Sequence, residues 1–565
     1  MAQRVLDFCN DSLCCVEGNN IFKKNSVNIA HLPTLMLVIG YPIYWAEMLS
    51  SGARTGVTSP AATILFVAFT VFILFRERQP IADGLGEYQR WFLALDLTTR
   101  LFVSGILSLI FGILLISFFA SLLPIHLLQE GDALNYHYSL TRQHLIIGSF
   151  AHIPWSAFDL FLLPVDYALA PFWFVTQLPN KIPQFIFFVG LVLVCLNLIR
   201  YLKGGVTASC LLAVAFLFGS HGHGIQFGTA MLDLANCYLL LAMFDSFIRR
   251  AHWLFIIEAN FYFWAKPFVP LQSAAVILTM CLIIVVLKAV AFKDVCFDFQ
   301  KLLDRKFFNE TWAFLKRCAI GFILISVAVA GPFIAKSIYY AGTPLYPFVP
   351  GVITHHQIPE GTVAWSSLVA ASDYWLHVTR NGYGYGRSVM DFINHFWLIA
   401  IPSHGVNNEF DYPLGLSYLI ALGPFIILMW KSLKERRIVL LPWLVIIFWV
   451  SWFAGSQQSR WLYVPILLMF LTVSVKTLKP SKILLSVLTL ALILNLISLS
   501  RAHVSDFMKS RQMVLRDKDK ALVDLSVRYI QNSRVGYVQI DNPEVTYAQF
   551  PVVIREESLP NVVAF

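Results

Sequence analysis

Charged residues are scarce in this sequence. They fill 13% of its 565 positions, about half the share that is usual in soluble globular proteins. Hydrophobic residues reach 58%, and the mean hydropathy is +0.67. So little charge excludes a soluble globular protein, and the composition predicts an all-α polytopic membrane protein.

Apolar runs of about 20 residues, the length that crosses a bilayer as a helix, recur along the whole chain. Together with one shorter run they predict about thirteen transmembrane helices. The runs lie near 30–50, 58–75, 101–123, 182–200, 205–219, 228–246, 252–266, 270–292, 318–338, 412–430, 438–454, 461–475 and 481–500.

The net charge of +9 is concentrated in alternate loops between these runs. Loops rich in Lys and Arg face the cytoplasm, so the charge predicts a topology and not a nucleic acid partner. The N-terminus is then inside, while the long loops near 124–181 and 339–411 and the tail after Ser500 are outside. The cationic loops contain Arg76 and Arg78, Arg249 and Arg250, Lys293 to Arg317, Lys431 to Arg437, and Lys476 to Lys482.

Cysteine is absent from the predicted outer loops, since all nine cysteines fall in inside loops or within spans. No disulfide framework is therefore expected. Cys9 with Cys14 and Cys15 lacks zinc-binding spacing.

No cleavable signal is apparent, because the first apolar run begins only near residue 30. We expect this run to remain as an anchor.

The pattern of apolar runs divides the chain into three parts. Residues 1–100 form an N-terminal segment with two extra transmembrane helices, and residues 101–500 form the main transmembrane domain, with amphipathic helices expected in its first long outer loop. Residues 501–565 turn polar. Their helix-like run ALVDLSVRYIQN and strand-like runs RVGYVQI and FPVVIR predict a small soluble α+β tail.

The polar stretch EGDALNYH, after the third run, contains Glu130 and Asp132 two positions apart. In a loop this spacing allows both carboxylates to face one pocket, which suits a general base. Asp is also among the best helix N-caps, so Asp132 alternatively caps a helix that begins at Ala133. The residue types leave both interpretations open.

Few cations lie on the predicted outer side, and two of them stand at the ends of apolar runs. Lys266 lies in FWAKPF and Arg460 in SQQSRWLYVP, where a charge is costly without an anionic partner or water. A lipid phosphate is such a partner, and snorkelling to ordinary head groups is the alternative.

Asp233 interrupts an apolar helix. It is either functional or paired with a side chain of a neighbouring helix.

Two further features are less specific. His221 and His223 in HGHG are a weak signal for a metal site. The loop from Tyr339 to Asp411 is rich in Tyr, Trp, Gly and His, which suits stacking on sugars and anchoring at the membrane interface equally well.

Four motifs in order resemble the GT-C superfamily of integral-membrane glycosyltransferases, particularly its bacterial branches related to protein mannosyltransferases and aminoarabinose transferases. EGDALNYH is similar to the acidic signature of the family's first outer loop, with ExD in place of DxD. GPFIAKSIYYAGTPLYPF (331–348) is similar to the segment PW..RN....GNP.YPF. FDYPLGLSYLIALGP and SQQSRWLYVPILLM resemble two later elements. The resemblance covers about residues 101–500.

The second motif departs from the family pattern at several positions. Lys336-Ser337 replaces the usual Arg-Asn, and Thr343 replaces an Asn. The roles of those side chains are therefore open, whereas the turn-forming Gly342 and Pro344 are retained.

The resemblance implies an inverting glycosyltransferase of the bacterial inner (cytoplasmic) membrane. Such an enzyme moves a sugar from a polyprenyl-phosphate donor to a glycan, lipid or protein acceptor on the outer face, and involves no nucleic acid. Asp132 is then the base with Glu130 in support, and Arg460 followed by Lys266 binds the donor phosphate. We further expect substrate- or phosphate-binding roles for Tyr136, His137, Arg142, Asp233 and Tyr346.

A divalent cation, Mg²⁺ or Mn²⁺, at Glu130 and Asp132 is left open by the resemblance. With no evident third ligand we expect none. Two other functions compete. A lipid-linked oligosaccharide flippase or other transporter would have inverted repeats and broken helices, which the sequence does not reveal. A polysaccharide ligase or polymerase would use a residue of the large outer loop, such as Arg387 or His404.

Overall fold

A computed structural model shows a chain that is almost entirely helical in the part described. The described residues include the apolar runs predicted above except 270–292. They are 28–50, 56–122, 136–153, 158–175, 180–203, 207–224, 226–266, 269, 294–296, 305–348, 350–358, 360–361, 363–381, 384, 386–400, 413–434, 437–477 and 480–514.

The described helices are numbered in chain order. The first half of the chain contains α1 (Leu32–Leu49), α2 (Ala61–Leu93), α3 (Leu97–Ser121), α4 (Tyr138–Ile147), α5 (Pro164–Trp173), α6 (Ile182–Lys203), α7 (Thr207–Gly219), α8 (His221–Gly224), α9 (Asp233–Ile248) and α10 (His252–Phe263). The second half contains α11 (Arg305–Val329), α12 (Gly331–Ala341), α13 (Val363–Asn381), α14 (Val389–Leu398), α15 (Leu416–Lys434), α16 (Leu440–Ala454), α17 (Tyr463–Lys476) and α18 (Lys482–Val514).

Six helical segments among the described residues are long and apolar enough to cross a membrane. A seventh is obtained if α11 and α12, which meet at a bend of 53°, count as one span. The six are Ile29–Leu49, Leu97–Ser121, Ile182–Tyr201, Leu416–Lys434, Ser459–Lys476 and Lys482–His503. The chain is therefore an α-helical membrane protein, as the composition predicts.

The count of about thirteen spans stays a prediction. Several predicted runs correspond to helices that are short for a bilayer, among them Ala208–Gly219 and Pro442–Ala454, as well as α9 and α10, which have 16 and 12 residues. The run 270–292 lies outside the described residues.

A pair of short parallel strands joins two loops. β1 (Asp294–Cys296) lies beside β2 (Arg437–Val439), with Asp294 opposite Arg437. The predicted α+β tail is largely outside the described residues, although α18 continues as a helix from the last span to Val514.

Helix α5, in the segment predicted as the first long outer loop, is buried along its whole length and packs against α1. The two helices approach most closely at Gly40, where an added Cβ would lie 1.9 Å from the carbonyl oxygen of Ala168. Helix α4 is attached to the same surface, because the hydroxyl of Tyr44 donates to the carbonyl oxygen of Thr141 at 2.8 Å. The expectation of amphipathic helices in this loop is thus wrong for α5, which has neighbours on every side.

Helix α1 belongs to the main hydrophobic core. Leu37, Tyr44 and Met48 are completely buried, in one cluster with residues of α6, α9 and α17. The predicted N-terminal segment therefore shares its packing with the domain that follows. Its boundary at residue 100 stays a prediction.

We predict that Gly40→Ala destabilises the protein by about 1–3 kcal/mol, the usual cost of overpacking a core. The new methyl group would collide with a backbone carbonyl, so α1 and α5 would have to separate. Thermal unfolding in detergent measures the effect. The control is Gly105→Ala in α3, where nothing lies within 4 Å of an added Cβ. Equal melting temperatures for the two variants would contradict the close approach.

Candidate functional site

Asp233, the first residue of α9, is the centre of a buried ion pair. Its Oδ1 lies 2.8 Å from Nζ of Lys266, which follows α10. Its Oδ2 accepts a hydrogen bond of 2.8 Å from Nε2 of Gln226. The carboxylate also faces the positive end of its own helix dipole. These interactions explain how a carboxylate is tolerated among apolar helices, and they fix the position of Lys266.

Arg460 adds a second positive charge to this site. It lies in the 3₁₀ turn Ser459–Leu462 that precedes α17, and it interacts electrostatically with Asp233. Two cations and one carboxylate leave one positive charge, so the cluster favours an anion. Asp233, Lys266 and Arg460, all predicted from the sequence as site residues, are thus brought together, and we call them the Asp233 cluster.

His223 connects this region to the start of α17. Its Nε2 donates to the carbonyl oxygen of Tyr463 at 3.1 Å, and its Nδ1 accepts from the hydroxyl of Ser220 at 2.9 Å. Both ring nitrogens are therefore engaged, which argues against the metal hypothesis for HGHG. Across the described part of the chain, no group of three or more His, Cys, Asp and Glu is arranged to hold a metal ion.

Tyr136 and His137 are the first described residues after Leu122. Nδ1 of His137 is bonded to Oδ1 of Asp166 in α5, and both side chains are buried. The ring of Tyr136 stacks on Phe158 with a centroid distance of 4.2 Å. His137 is thereby committed to a carboxylate of the protein, whereas the half-buried Tyr136 lies next to residues 123–135.

Gln184 links Tyr138 to the segment that precedes Asp233. Its Nε2 donates to the hydroxyl oxygen of Tyr138 at 3.0 Å and to the carbonyl oxygen of Ala230 at 3.2 Å. The residues that flank 123–135 are anchored nearby, since Ser121 accepts from the amide of Lys181 and the hydroxyl of Tyr138 donates to Asn180. Ser121 and Tyr138, which flank residues 123–135, are therefore both attached close to Gln184.

A second buried charge cluster joins residues 144–159 to α12. Nζ of Lys336 lies 2.7 Å from Oδ1 of Asp159 and 4.2 Å from the ring centroid of Phe150. Oδ2 of Asp159 accepts from Nδ1 of His152 at 2.9 Å and from the amide of Ile153 at 2.6 Å. Lys336 is therefore fully engaged inside the protein, at the position where the resemblance left its role open.

His144 completes this second cluster. Its Nδ1 lies 2.9 Å from the carbonyl oxygen of Ser149, and its Nε2 lies 2.9 Å from Oδ1 of Asp159 and 3.1 Å from Nζ of Lys336. Burial and the charge of Lys336 both lower the pKa of His144. Burial alone would raise the pKa of Asp159, but Lys336 and His144 hold it well below its ordinary value. Asp159 is therefore an ionised, permanently paired carboxylate.

Two other predicted binding residues, Tyr346 and Arg142, contact other parts of the chain. Tyr346 is buried, and its hydroxyl donates to the carbonyl oxygen of Leu368 at 3.0 Å. Arg142 lies against Gly56, where an added Cβ would be 3.0 Å from its Nε. Tyr346 therefore has a structural contact, and the binding role predicted for it has no support from its position.

Glu130, Asp132 and His404 lie outside the described residues, so their predicted roles stay predictions. Sequence reasoning missed Gln226 and Asp166, which bond the predicted residues Asp233 and His137, and it missed Asp159, the partner of Lys336. Asp159 and Asp166 lie among many apolar neighbours, and an isolated acid in such a context is a usable signal.

The chain was compared with family models, curated proteins and solved structures, and none of them matches it. The resemblance to the GT-C superfamily therefore rests on the four motifs in the sequence.

We predict that Asp159→Asn lowers the free energy of unfolding by about 3–5 kcal/mol, because it leaves Lys336 buried without its carboxylate. Thermal unfolding in detergent is the measurement, with Asp373→Asn, an exposed carboxylate of α13, as the control. The pKa of Asp159 is lowered in the folded state, so its stabilisation is present above about pH 4 and is lost on further acidification. An Asp159→Asn variant as stable as Asp373→Asn would refute the pairing.

Proposed function

We propose that this protein is a glycosyltransferase that moves a sugar from a polyprenyl-phosphate donor to an acceptor at the outer face of the membrane. The observation that carries the proposal is the Asp233 cluster. Lys266 is paired with a buried carboxylate that also interacts electrostatically with Arg460, and Gln184 joins Tyr138 to the segment before Asp233.

The chemistry of transfer requires such a cluster. When the anomeric carbon of the sugar is attacked, its bond to the phosphate oxygen breaks, and the polyprenyl phosphate leaves with added negative charge. Cations placed in advance at that oxygen stabilise the transition state. Lys266 is partly exposed, at 22% of its side chain, so it can reach a phosphate while Asp233 keeps it oriented.

The acceptor needs a base, since a hydroxyl is a poor nucleophile at neutral pH. We assign this role to Asp132, supported by Glu130, as the motif resemblance implies. In an inverting reaction the base takes the hydroxyl proton while the acceptor oxygen attacks the face opposite the phosphate. The anchoring of residues 121 and 138 beside Gln184 supports this assignment, because Gln184 also bonds the segment before Asp233.

The distribution of cations supports an outer location for the Asp233 cluster. Helix α9 begins at Asp233 and is followed by Arg249 and Arg250, and α15 ends with Lys431 and Lys434. Ends rich in Lys and Arg face the cytoplasm. The Asp233 end of α9 then faces outward, in a bacterial inner membrane on our proposal.

We predict that Arg460→Ala raises the apparent KM for the donor about tenfold or more, because a charge-assisted contact to the phosphate is lost. Arg460→Lys should recover part of the affinity, since the charge is kept without the planar fork. The initial rate of transfer at varied donor concentration is the measurement. Lys434→Ala, an exposed cation of α15, is the control. An unchanged donor KM in Arg460→Ala would remove the phosphate role.

We predict that Asp132→Asn abolishes transfer of label from a radiolabelled polyprenyl-phosphate sugar in membranes, because the base is lost while the size of the side chain is kept. The control is Asp373→Asn, an exposed carboxylate of α13. Both proteins should be present at equal amounts in the membrane. Full activity of Asp132→Asn would show that another group is the base.

One observation favours a transporter of lipid-linked sugars as a second candidate. The break of 53° between α11 and α12 is a feature of transporters, whose discontinuous helices form midplane sites. The same labelled donor separates the two functions. A glycosyltransferase forms a new covalent product, whereas a transporter changes the leaflet of an intact donor.

A further inference from the structure

An open apolar groove lies beside the residues that follow α9, the helix that Asp233 begins. Its three walls come from α1, from the first half of α10 and from α11, and its volume is about 880 Å³. This lies within the range of about 300–1,000 Å³ that is typical of small-molecule sites. The floor is formed where α11 approaches α10 at Gly321, since an added Cβ there would lie 2.7 Å from Cδ1 of Ile256.

The rims of this groove are strongly hydrophobic. Trp253 is 71% exposed, Ile320 69% and Leu324 65%. Such residues would be unfavourable in water, but in a membrane protein they face acyl chains. The groove is therefore open to lipid along its length and presents a surface that suits a hydrocarbon chain.

One end of the groove is positively charged. Arg317 and His252 both line it, and His252 lies in the field of Arg317 and Arg250. Helix α10 begins here at His252, and its N-cap, Ala251, provides no side-chain hydrogen bond, so the positive pole of the helix adds to the field. Among the described residues that line the groove there is no Asp or Glu.

Arg250 occupies an unusual backbone conformation for its residue type. Its φ of 58° places it in the left-handed region, which helix C-termini normally fill with Gly or Asn. The amides of Arg250 and Ala251 bond back to Phe247 and Ser246, and the guanidinium lies 5.3 Å from the ring of Phe247 and 5.2 Å from that of Phe314. A charged residue is thus kept beside the groove at a position where Gly would have less strain.

We propose that this groove binds one phospholipid with an anionic head group. The acyl chain lies along Ile256 and Leu324, and the phosphate lies at Arg317 and the start of α10, within the field of Arg250. The combination of an apolar channel, a positive end and no lining carboxylate selects against a zwitterionic lipid. The site is separate from the proposed donor site, because Asp233 and Arg250 stand at opposite ends of α9.

Native mass spectrometry of the delipidated full-length protein tests this proposal. Phosphatidylglycerol and phosphatidylcholine are added in parallel at equal concentrations. We expect one phosphatidylglycerol to be retained in preference to phosphatidylcholine. Equal retention of the two lipids, or retention of neither, would overturn the proposal.

Variants at the positive end identify the contact. Arg317→Gln should weaken phosphatidylglycerol binding about fivefold, as expected for one cation near a lipid phosphate. Lys316→Gln removes the same charge from the adjacent position, which does not line the groove, and should leave binding unchanged. Both residues are exposed on α11, so the variants should fold alike. Equal binding by Arg317→Gln and Lys316→Gln would overturn the proposal.

Arg250 provides an independent check. Arg250→Gly should relieve the strained backbone conformation and still weaken phosphatidylglycerol binding, because the charge is lost. Arg250→Lys keeps the charge and should bind phosphatidylglycerol nearly as well as the wild type. Unchanged binding in Arg250→Gly would show that the residue is only structural and would overturn its place in the site.

Discussion

Ionisable groups inside an apolar helix bundle have to be paired, and this constraint organises the molecule. Asp233 is held by Lys266, and Asp159 by Lys336. At the other end of α9, the imidazole of His31 lies between Asp245 and Glu258, at 3.0 and 2.6 Å. Each pairing joins two different elements of the fold. Charged side chains that would be too costly to bury alone are thus tolerated as pairs, and the pairs connect the helices.

Helix α9 connects two chemically different regions through this constraint. Asp233 and Asp245 are twelve residues apart on it, a rise of about 18 Å along the helix axis. The Asp233 end combines two cations with a carboxylate and favours an anion. The Asp245 end is a structural clamp with His31 and Glu258, because both ring nitrogens of His31 are engaged and all three side chains are buried.

The sequence predicts the helical membrane class and most span positions because these depend on local composition. Six predicted runs fall on the six described spans, and a seventh falls on the bent pair of α11 and α12, to within several residues at their ends. The sequence also singles out Asp233, Lys266 and Arg460 as costly charges. It does not reveal that Lys266 and Asp233 are partners, since 33 positions separate them and only tertiary packing brings them together. The burial of His137 against Asp166 and of Tyr346 has the same origin.

The second motif illustrates how a departure from a family pattern is accommodated. Lys336 is paired with Asp159, and the hydroxyl of Ser337 donates to the carbonyl oxygen of Thr343 at 2.6 Å. Gly342 ends α12 with a φ of 63°, in a place where an added Cβ would be 2.4 Å from the carbonyl oxygen of Ile353. Ser337 thus holds the turn at Thr343, and Lys336 attaches this segment to Asp159.

The central claim, that the Asp233 cluster receives the phosphate of a lipid-linked sugar, is tested most directly by an electron cryomicroscopy structure with polyprenyl phosphate bound. The account predicts density for the phosphate within hydrogen-bonding distance of Lys266 or Arg460, with the prenyl chain leading into the membrane. A bound polyprenyl phosphate whose phosphate lies away from both side chains would contradict it.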